Sequence, residues 1–426
     1  MSKSWYRQKK YDVSQHNYAK QVTANFDFPK KIYIVDSTLR KVLYTPGLYG
    51  KITPDDYVEV ANIMDEIGVS QIYINNPRTK EAFDCCKAVG EQRHKFKFNV
   101  SIAFLVTKAW KAGVDKAIEV NADCAEYECK STEKEIKSLG LDEEKVIARL
   151  REALDYGKRQ GISVSAGFED STRADFNFLI RLANESIKHG AEKLNFYDSY
   201  GCASPDALRY FFKEIRRNLI KDVPVIVHAH NIFGLASASA VAAVTAGANP
   251  DVAVNGVGES CGLASLEEVV LALELLYGIS TGIRLEKLTE YSQIVKEKTM
   301  RAGIDVSSFK PIVGDYAFLY EIEGWITEYL KEPSNPNPFV PELVGQKRQF
   351  VWGANTFGGY NFGVTATKAE LDKLGLKYTD EDIDKIHAII KERLAKKTRP
   401  PIWLTELEVA QICVEVVKNT LTPKRA

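Results

Sequence analysis

Two histidines separated by one residue form the strongest local signal in the sequence. His228 and His230 end the run VPVIVHAH (223–230), whose β-branched residues predict a strand. On a strand, residues i and i+2 face the same side, so both imidazoles point toward one site. Two neutral imidazoles could bind a divalent metal that takes its other ligands from oxygen atoms. They could equally hydrogen-bond a substrate directly.

Two adjacent cations, Arg40 and Lys41, follow the apolar run at 32–35 in the segment DSTLRKV (36–42). Side by side, they repel each other unless negative charge lies nearby. An anionic small molecule bound nearby would supply that charge, and we therefore expect an anionic substrate such as a small-molecule carboxylate.

Two other segments carry polar residues at predicted strand ends. In GFEDSTRAD (167–175), Glu169 is the active-site candidate, whereas Asp170 or Ser171 could simply cap the next helix and Arg173 could pair with a neighbour. In NGVGESCG (255–262), three glycines allow backbone amides to approach a ligand closely. Cys261 in that segment is either a mobile acid or nucleophile, or an inert thiol.

Eight strand–helix units predict the fold. Strands are expected at 31–37, 70–76, 96–105, 122–129, 162–170, 192–199, 223–230 and 251–258. This α/β pattern predicts a parallel (β/α)8 TIM barrel with an appended C-terminal helical region. A doubly wound sheet is the alternative, but no GxGxxG follows the first strand. Thr53 and Pro54 predict the start of the first long helix, and Gly68 its end.

In a TIM barrel, the active site lies at the carboxyl ends of the strands. Polar residues concentrate at these positions: Asp36, Arg40, Asn75, Asn76, Glu126, Glu128, Glu169, Asp198, His228, His230, Asn255 and Glu259. From this set we predict substrate contacts for Asp36, Asn76, Asp198, Asn255 and Glu259, and also for Cys261.

Composition narrows the function classes. The 57 basic and 57 acidic residues cancel, which argues against a nucleic acid or an anionic membrane as the main partner. Seven cysteines without a CxxC pair, and the lack of an apolar targeting segment, lead us to expect a cytoplasmic protein with free thiols. We expect an extension at 1–30, a catalytic barrel at 31–283 and a linker-like helical region at 284–426.

Several motifs together resemble the DRE-TIM metallolyase superfamily. They are LRKV after IVDST, ED at 169–170, YDSYGCASP (197–205), HAHNIFGLASASAVAAVTAGA (228–248) and VNGVGESCGLASLEEVVLAL (254–273). That group contains isopropylmalate, homocitrate and citramalate synthases and hydroxymethylglutaryl-CoA lyase. KPIVGDYAF (310–318) and FVPELVGQKR (339–348) also resemble the linker subdomain of the synthases.

The resemblance implies a divalent metal held by two histidines and by a carboxylate directly after the arginine. It also implies a 2-oxo acid substrate, acyl-CoA as a possible co-substrate and a homodimer. This chain departs from the pattern at the metal site, where Lys41 replaces the carboxylate. Further departures are Tyr73 for a glutamate, Ile232 for an aspartate, Leu263 for an asparagine, and Tyr320 and Trp325 for two histidines.

The cofactor prediction therefore stays open. His228 and His230 either bind a metal beside a neutral Lys41, or hydrogen-bond the ligand while the Lys41 ammonium takes the cation position. A Schiff base on Lys41 is a third possibility.

We predict an enzyme that makes or breaks a carbon–carbon bond next to a carbonyl, by condensing acyl-CoA with a 2-oxo acid. Arg40 and Lys41 would stabilise an enolate or oxyanion, and His228, His230 or Tyr73 would move protons. Glu169 would orient the substrate, and Tyr320 would contact it. The alternatives are a metal-independent lyase or decarboxylase, and a non-catalytic carboxylate-binding or partner subunit.

Overall fold

The computed structural model describes residues 10–106, 110–353 and 363–421. Contacts divide these residues into two compact units. The first covers Ser14–Ser307, and the second contains residues 10–13 and those from Ser308 onward.

The first unit is a closed barrel of eight parallel strands, each paired with its neighbours in chain order. The ring closes where the first strand pairs with both the second and the eighth. The (β/α)8 prediction is thus confirmed. The strands are β1 (Val35–Asp36), β2 (Gln71–Ile74), β3 (Asn99–Leu105), β4 (Cys124–Lys130), β5 (Ser163–Glu169), β6 (Leu194–Asp198), β7 (Val225–Ala229) and β8 (Asn249–Val252).

Helices connect these strands on the outside of the barrel. They are α1 (Lys20–Thr23), α2 (Thr38–Val42), α3 (Pro54–Ile67), α4 (Lys80–Glu91), α5 (Trp110–Glu119), α6 (Glu133–Ser138), α7 (Glu143–Arg159), α8 (Phe176–Lys188), α9 (Pro205–Asn218), α10 (Ala236–Val244), α11 (Leu266–Leu275) and α12 (Leu288–Met300). The predicted ends of α3 are confirmed. Thr53 forms a capping box with Asp56, and Gly68 adopts a left-handed φ of 93°.

Two elements differ from the sequence prediction. β1 ends at Asp36, whose Oδ1 accepts a hydrogen bond from the backbone N–H of Thr38 (2.8 Å) and so starts α2. Arg40 and Lys41 therefore lie on a short helix rather than at a strand end. β8 begins before the predicted strand and stops at Val252, because the chain turns at Asn255, which has a positive φ of 58°.

Helix α12 belongs to the first unit, although the predicted domain boundary at 283/284 precedes it. The Tyr291 hydroxyl donates to Asp36 Oδ2 (2.9 Å), and the Ser292 hydroxyl donates to Asn255 Oδ1 (2.6 Å). These contacts fix α12 to the barrel.

The second unit contains the expected helices and also a small sheet. The helices are α13 (Glu323–Lys331), α14 (Val364–Lys373), α15 (Asp380–Lys396) and α16 (Glu406–Leu421). In the sheet, β10 (Gln349–Trp352) lies between β9 (Leu319–Tyr320) and β11 (Leu404–Thr405). The fully buried Trp352 donates its indole N–H to Thr367 (3.2 Å).

Part of the barrel interior is apolar. Val35, Tyr73, Ala103 and Ile226 form a buried cluster.

Across the described ranges, no helix has the length and apolar character needed to cross a bilayer. All seven cysteines are free thiols.

Candidate active site

A cavity of about 250 Å³ lies at the carboxyl ends of the barrel strands. Its lining comprises Arg40, Lys41, Glu128, Lys130, Glu135, Glu169, Tyr197, Ser199, Tyr200, His228, His230, Ile232, Glu259 and Ser260. Six residues predicted from the sequence meet here although they are far apart in the chain: Arg40, Lys41, Glu169, His228, His230 and Glu259.

Lys41 is buried, with 3% of its surface exposed, and its Nζ donates to Glu259 Oε1 at 2.6 Å. Burial and the adjacent Arg40 guanidinium lower the pKa of Lys41 below its usual value. Burial opposes ionisation of Glu259 as well, yet the Lys41 ammonium holds the pKa of this carboxyl down to about 2. A contact this short with so acidic a carboxyl favours the ammonium form of Lys41.

Glu259 connects Lys41 to the second histidine. Its Oε1 lies 3.6 Å from His230 Nε2. Within the described part of the chain, Glu259 Oε2 and His230 Nδ1 have no hydrogen-bond partner although both atoms are buried. Burial and the Lys41 charge lower the pKa of His230 to about 4, so its imidazole is neutral near pH 7.

His228 is fully buried and forms a dyad with Asp251. Its Nδ1 lies 2.6 Å from Asp251 Oδ2, and Asp251 Oδ1 accepts a hydrogen bond from the Ser37 hydroxyl at 2.6 Å. Burial and Lys41 keep the pKa of His228 well below its usual range, while burial raises the pKa of Asp251 to about 7. When Asp251 is ionised, the imidazole donates from Nδ1 and keeps a lone pair on Nε2. That Nε2 is buried and unpartnered among the described residues.

Arg40 also has a carboxylate partner within the protein. Its Nη2 donates to Glu128 Oε1 (2.7 Å) and its Nη1 to the Tyr197 hydroxyl (3.3 Å). Burial opposes ionisation of Glu128, but Arg40 lowers its pKa below the usual value. The negative charge that the sequence assigned to a substrate alone is thus supplied in part by Glu128 and Glu259.

Beneath the cavity, Glu126 accepts hydrogen bonds from two buried tyrosines, Tyr197 (2.5 Å) and Tyr73. Burial and the nearby Glu128 raise the pKa of Glu126. Tyr73 does not contribute to the cavity lining. Its hydroxyl contacts Glu126 beneath the cavity. Its role in proton transfer stays a prediction.

One wall of the cavity is an ion-pair cluster. Lys130 Nζ donates to Glu135 Oε1 (3.1 Å) and to Glu169 Oε2. Lys130 and Glu169 are register partners across β4 and β5. All three side chains remain between one fifth and about one quarter exposed, so they are accessible.

Several predicted substrate contacts bind other parts of the protein instead. Asp36 follows the inward-facing Val35 on β1, and Asp198 follows the inward-facing Tyr197 on β6, so both side chains point to the opposite face of their strands. Asp198 accepts from the Thr172 hydroxyl (2.9 Å) and from two backbone amides that follow it. The Asn76 side chain donates to Ala103 O (3.1 Å). Their roles in substrate binding stay predictions.

The remaining candidates also lie outside the cavity lining. Asn255 is bound to Ser292 of α12, and Cys261 is exposed on its loop. Tyr320 is buried in the second unit, where its hydroxyl accepts from Asn337 (2.6 Å). Asp170 pairs with Arg173 through two guanidinium nitrogens, as the structural alternative predicted.

Three residues of the site were not named from the sequence, Lys130, Tyr197 and Asp251, and Glu128 was named only as a polar residue at a strand end. Each follows from the alternation of a strand. Glu128 and Lys130 share the inward face of β4 with Glu126, and Asp251 is the register partner of His228 across β7 and β8. Because residues i and i+2 of a strand face the same side, the same alternation in the other strands points to these residues.

The side chains present do not fit a divalent metal ion. Two imidazoles belong to the cavity lining, but Glu259, the lining carboxylate beside them, is bound to Lys41. A doubly charged cation about 4 Å from an ammonium would be repelled by about 8 kcal/mol at an effective dielectric of 20. Among the residues described, no three His, Cys, Asp or Glu side chains are arranged to hold a metal.

Comparison with known proteins finds a matching family model and related sequences. The family model described as HMGL-like matches residues 31–295. A putative (R)-citramalate synthase of Methanopyrus kandleri is 35% identical over 93% of this chain and 75% of its own length. A homocitrate synthase from the same organism is 33% identical over 96% and 97% of the two chains. A 2-isopropylmalate synthase of Methanocaldococcus jannaschii is 32% identical over 89% and 76%.

Solved structures share the fold. The HMG-CoA lyase of Bacillus subtilis superposes with a TM-score of 0.53 at 20% identity, over 66% of this chain and 96% of the lyase. A lyase from Acinetobacter baumannii, solved with coenzyme A and 3-methylmalate, gives a TM-score of 0.54 at 19% identity, over 65% and 92%. At these identities, the likeness concerns the barrel alone.

Proposed function

The chain belongs to the HMGL-like family, and on that premise we propose that it condenses an acyl-CoA with a 2-oxo acid, using the Lys41 ammonium where the family resemblance implies a divalent cation. Its relatives named as synthases are enzymes, and so is this chain. The particular 2-oxo acid is a separate question.

The observation that carries this proposal is the pairing of two buried cations with two neutral imidazoles around one cavity. Arg40 and Lys41 bring positive charge to the cavity, and His228 Nε2 brings an unpartnered lone pair. Positive charge fixed in a buried site stabilises developing negative charge far better than it would in water.

The 2-oxo acid would bind with its keto oxygen toward Lys41. Glu259 is 38% exposed, so it lies on the solvent side of Lys41, and an incoming oxygen can replace it there. Ser260 and Gly262 adopt left-handed φ values of 58° and 74°, which fix the loop that carries Glu259. Arg40, held by Glu128, would contact the substrate carboxylate.

Condensation needs a base, an oxyanion site and a water molecule. His228 Nε2 would remove a proton from the α-carbon of the acyl thioester, and Asp251 would stabilise the resulting imidazolium. The α-carbon would then form a bond to the keto carbon. The keto oxygen would become an alkoxide beside Lys41 and take up a proton. Water would finally cleave the thioester to a carboxylate and free CoA thiol.

The proposal favours condensation over the other functions considered. A non-catalytic role disagrees with the enzyme relatives across most of the chain. A metal-independent lyase or decarboxylase would use the same cations and the same base. It differs in consuming a hydroxy acid or releasing CO2 rather than releasing CoA thiol.

Release of CoA thiol tests the proposal. Purified protein is treated with a chelator and desalted, and thiol is then measured with acetyl-CoA and each member of a panel of 2-oxo acids. We expect thiol release that requires a 2-oxo acid and persists in the chelator. No release with any 2-oxo acid, or release only after Mg²⁺ or Mn²⁺ is added, would overturn the proposal.

A further inference from the structure

We propose that the 2-oxo acid taken by this enzyme carries a cationic side chain, such as a guanidinium, which the Glu135 and Glu169 carboxylates around Lys130 recognise. This inference rests on the proposed condensation for the 2-oxo acid head of the substrate. The recognition of the side chain rests on the cavity wall.

Carboxylates outnumber cations in the cavity. The cationic lining residues are Arg40, Lys41 and Lys130, and the carboxylates are Glu128, Glu135, Glu169 and Glu259. Arg40 and Lys41 have one carboxylate each, but Lys130 is shared by Glu135 and Glu169. The wall therefore retains one uncompensated negative charge.

The electrostatics of Glu169 agree with this excess. Burial and the neighbouring Glu128 raise the pKa of Glu169 even though it contacts the Lys130 ammonium. A second cation beside Glu169 would relieve that repulsion. A second carboxylate would increase it.

The wall lies opposite the proposed reacting groups. In the closed barrel, β4 and β5 face β8 and β1 across the ring. Lys130 and Glu169 end β4 and β5, whereas His228, Asp251 and Lys41 belong to β7, β8 and the helix after β1. A substrate whose keto group reaches Lys41 would extend its side chain toward Glu135 and Glu169.

A residue at the other end of the same cavity also has an unsatisfied polar atom. His228 belongs to the lining, and its Nε2 is buried without a hydrogen-bond partner in the described part of the chain. A linear molecule that occupies both ends satisfies the imidazole and the acidic wall together. A guanidinium suits the wall because its planar donors match carboxylate oxygens.

Binding of three 2-oxo acids of similar length tests the inference. They are 5-guanidino-2-oxopentanoate, 2-oxoadipate and 2-oxoheptanoate, and their affinities are compared by titration calorimetry on the full-length protein. We expect the guanidino compound to bind about tenfold tighter than either of the others, as one charge-assisted contact predicts. Equal affinities, no binding of any of the three, or tighter binding of 2-oxoadipate would overturn it.

Thiol release with the same compounds separates this inference from the proposed function. Preferential binding of the guanidino compound without thiol release would overturn the condensation and support the cationic subsite. Thiol release with a preference for 2-oxoadipate would support the condensation and overturn the cationic subsite.

Two variants test whether Glu135 and Glu169 cause the preference for the guanidino compound. Glu169→Gln and Glu135→Gln should each reduce the affinity for the guanidino compound about tenfold more than the affinity for 2-oxoheptanoate. Two variants on separate elements protect the test against the misfolding of one. The matched control is Glu185→Gln on α8, because Glu185 also forms ion pairs, with Arg151 and Lys188, but lies outside the cavity lining. It should keep the native preference, and an equal loss in this control would contradict the assignment.

Discussion

At the scale of single residues, Lys41 determines what this site can do. A lysine stands where the resemblance implies a metal-binding carboxylate, and its Nζ lies 2.6 Å from Glu259 Oε1. In the proposed reaction, the single positive charge of the Lys41 side chain takes the place of the charge that a metal would bring. The neighbouring His228 and His230 would then act as neutral imidazoles.

Replacing Lys41 should change the metal requirement. Lys41→Asp restores a carboxylate beside the two histidines and removes the repelling charge, so we expect this variant to bind one Mn²⁺ per chain. Titration calorimetry with Mn²⁺ measures the stoichiometry. Lys41→Met is the control, since it removes the charge without adding a ligand. Equal Mn²⁺ binding by the aspartate variant and the native protein would contradict our interpretation.

The dyad of His228 and Asp251 makes a second prediction. In Asp251→Asn, the asparagine amide can donate to Nδ1 and so place the imidazole proton on Nε2, where the lone pair is needed. We expect kcat to fall by about 10²-fold or more, while KM changes little. Ser37→Ala keeps the carboxylate and should cost much less. A matching loss in both variants would indicate that the network is merely structural.

The sequence predicted the reacting groups better than their partners. His228 and His230 could be found because i and i+2 share a strand face, and Arg40 and Lys41 because adjacent cations are conspicuous. Glu128 and Glu259 were not recognised as the partners of Arg40 and Lys41, because each pair joins elements that are distant in the chain. Pairing between distant strands depends on barrel register, which a single sequence does not state.

At the scale of elements, local signals gave helix ends more reliably than strand ends. Thr53 and Gly68 bound α3 as predicted because capping is decided within a few residues. The predicted ends of β1 and β8 were wrong. Asp36 ends β1 by accepting a hydrogen bond from the backbone of the next helix, and the chain turns after β8 at Asn255, which has a positive φ.

The start of α3 also anchors α12, which gives a stability prediction. Asp56 caps α3 through Thr53 and accepts hydrogen bonds from Arg301 just after α12, one of them at 2.8 Å. Asp56→Asn should lower the free energy of unfolding by about 2 kcal/mol, because it removes a charge-assisted contact of a buried group. Denaturant unfolding at pH 7 measures the difference.

The effect should depend on pH with a defined sign. Burial opposes ionisation, but hydrogen bonds from Arg301 and Thr53 lower the pKa of Asp56 from 3.8 to about 2. The stabilisation is thus complete above pH 3.8 and is lost as the pH falls toward 2. Asp55→Asn, in the same helical turn but exposed, is the matched control and should change little. A loss that grows at low pH would contradict this account.

At the scale of the whole molecule, the chain combines a barrel with a second compact unit. Composition and periodicity predicted the barrel and the C-terminal helices. They did not predict the three-stranded sheet, because β9 and β11 have only two residues each. Strands this short carry no detectable alternation.

The resemblance to the synthases also predicts a homodimer. Light scattering coupled to size-exclusion chromatography should give twice the chain mass of 47.7 kDa. A mass of one chain that does not change with protein concentration would exclude the dimer.

If the Lys41 ammonium takes the place of a divalent cation, the purified protein should hold no such ion. Purified protein is incubated with Mg²⁺, Mn²⁺ and Zn²⁺, desalted and measured by elemental mass spectrometry beside His228→Ala. We predict far less than one ion per chain in the native protein and no difference in the variant. One tightly held ion per chain, lost in His228→Ala, would contradict the claim and return His228 and His230 to the role of metal ligands.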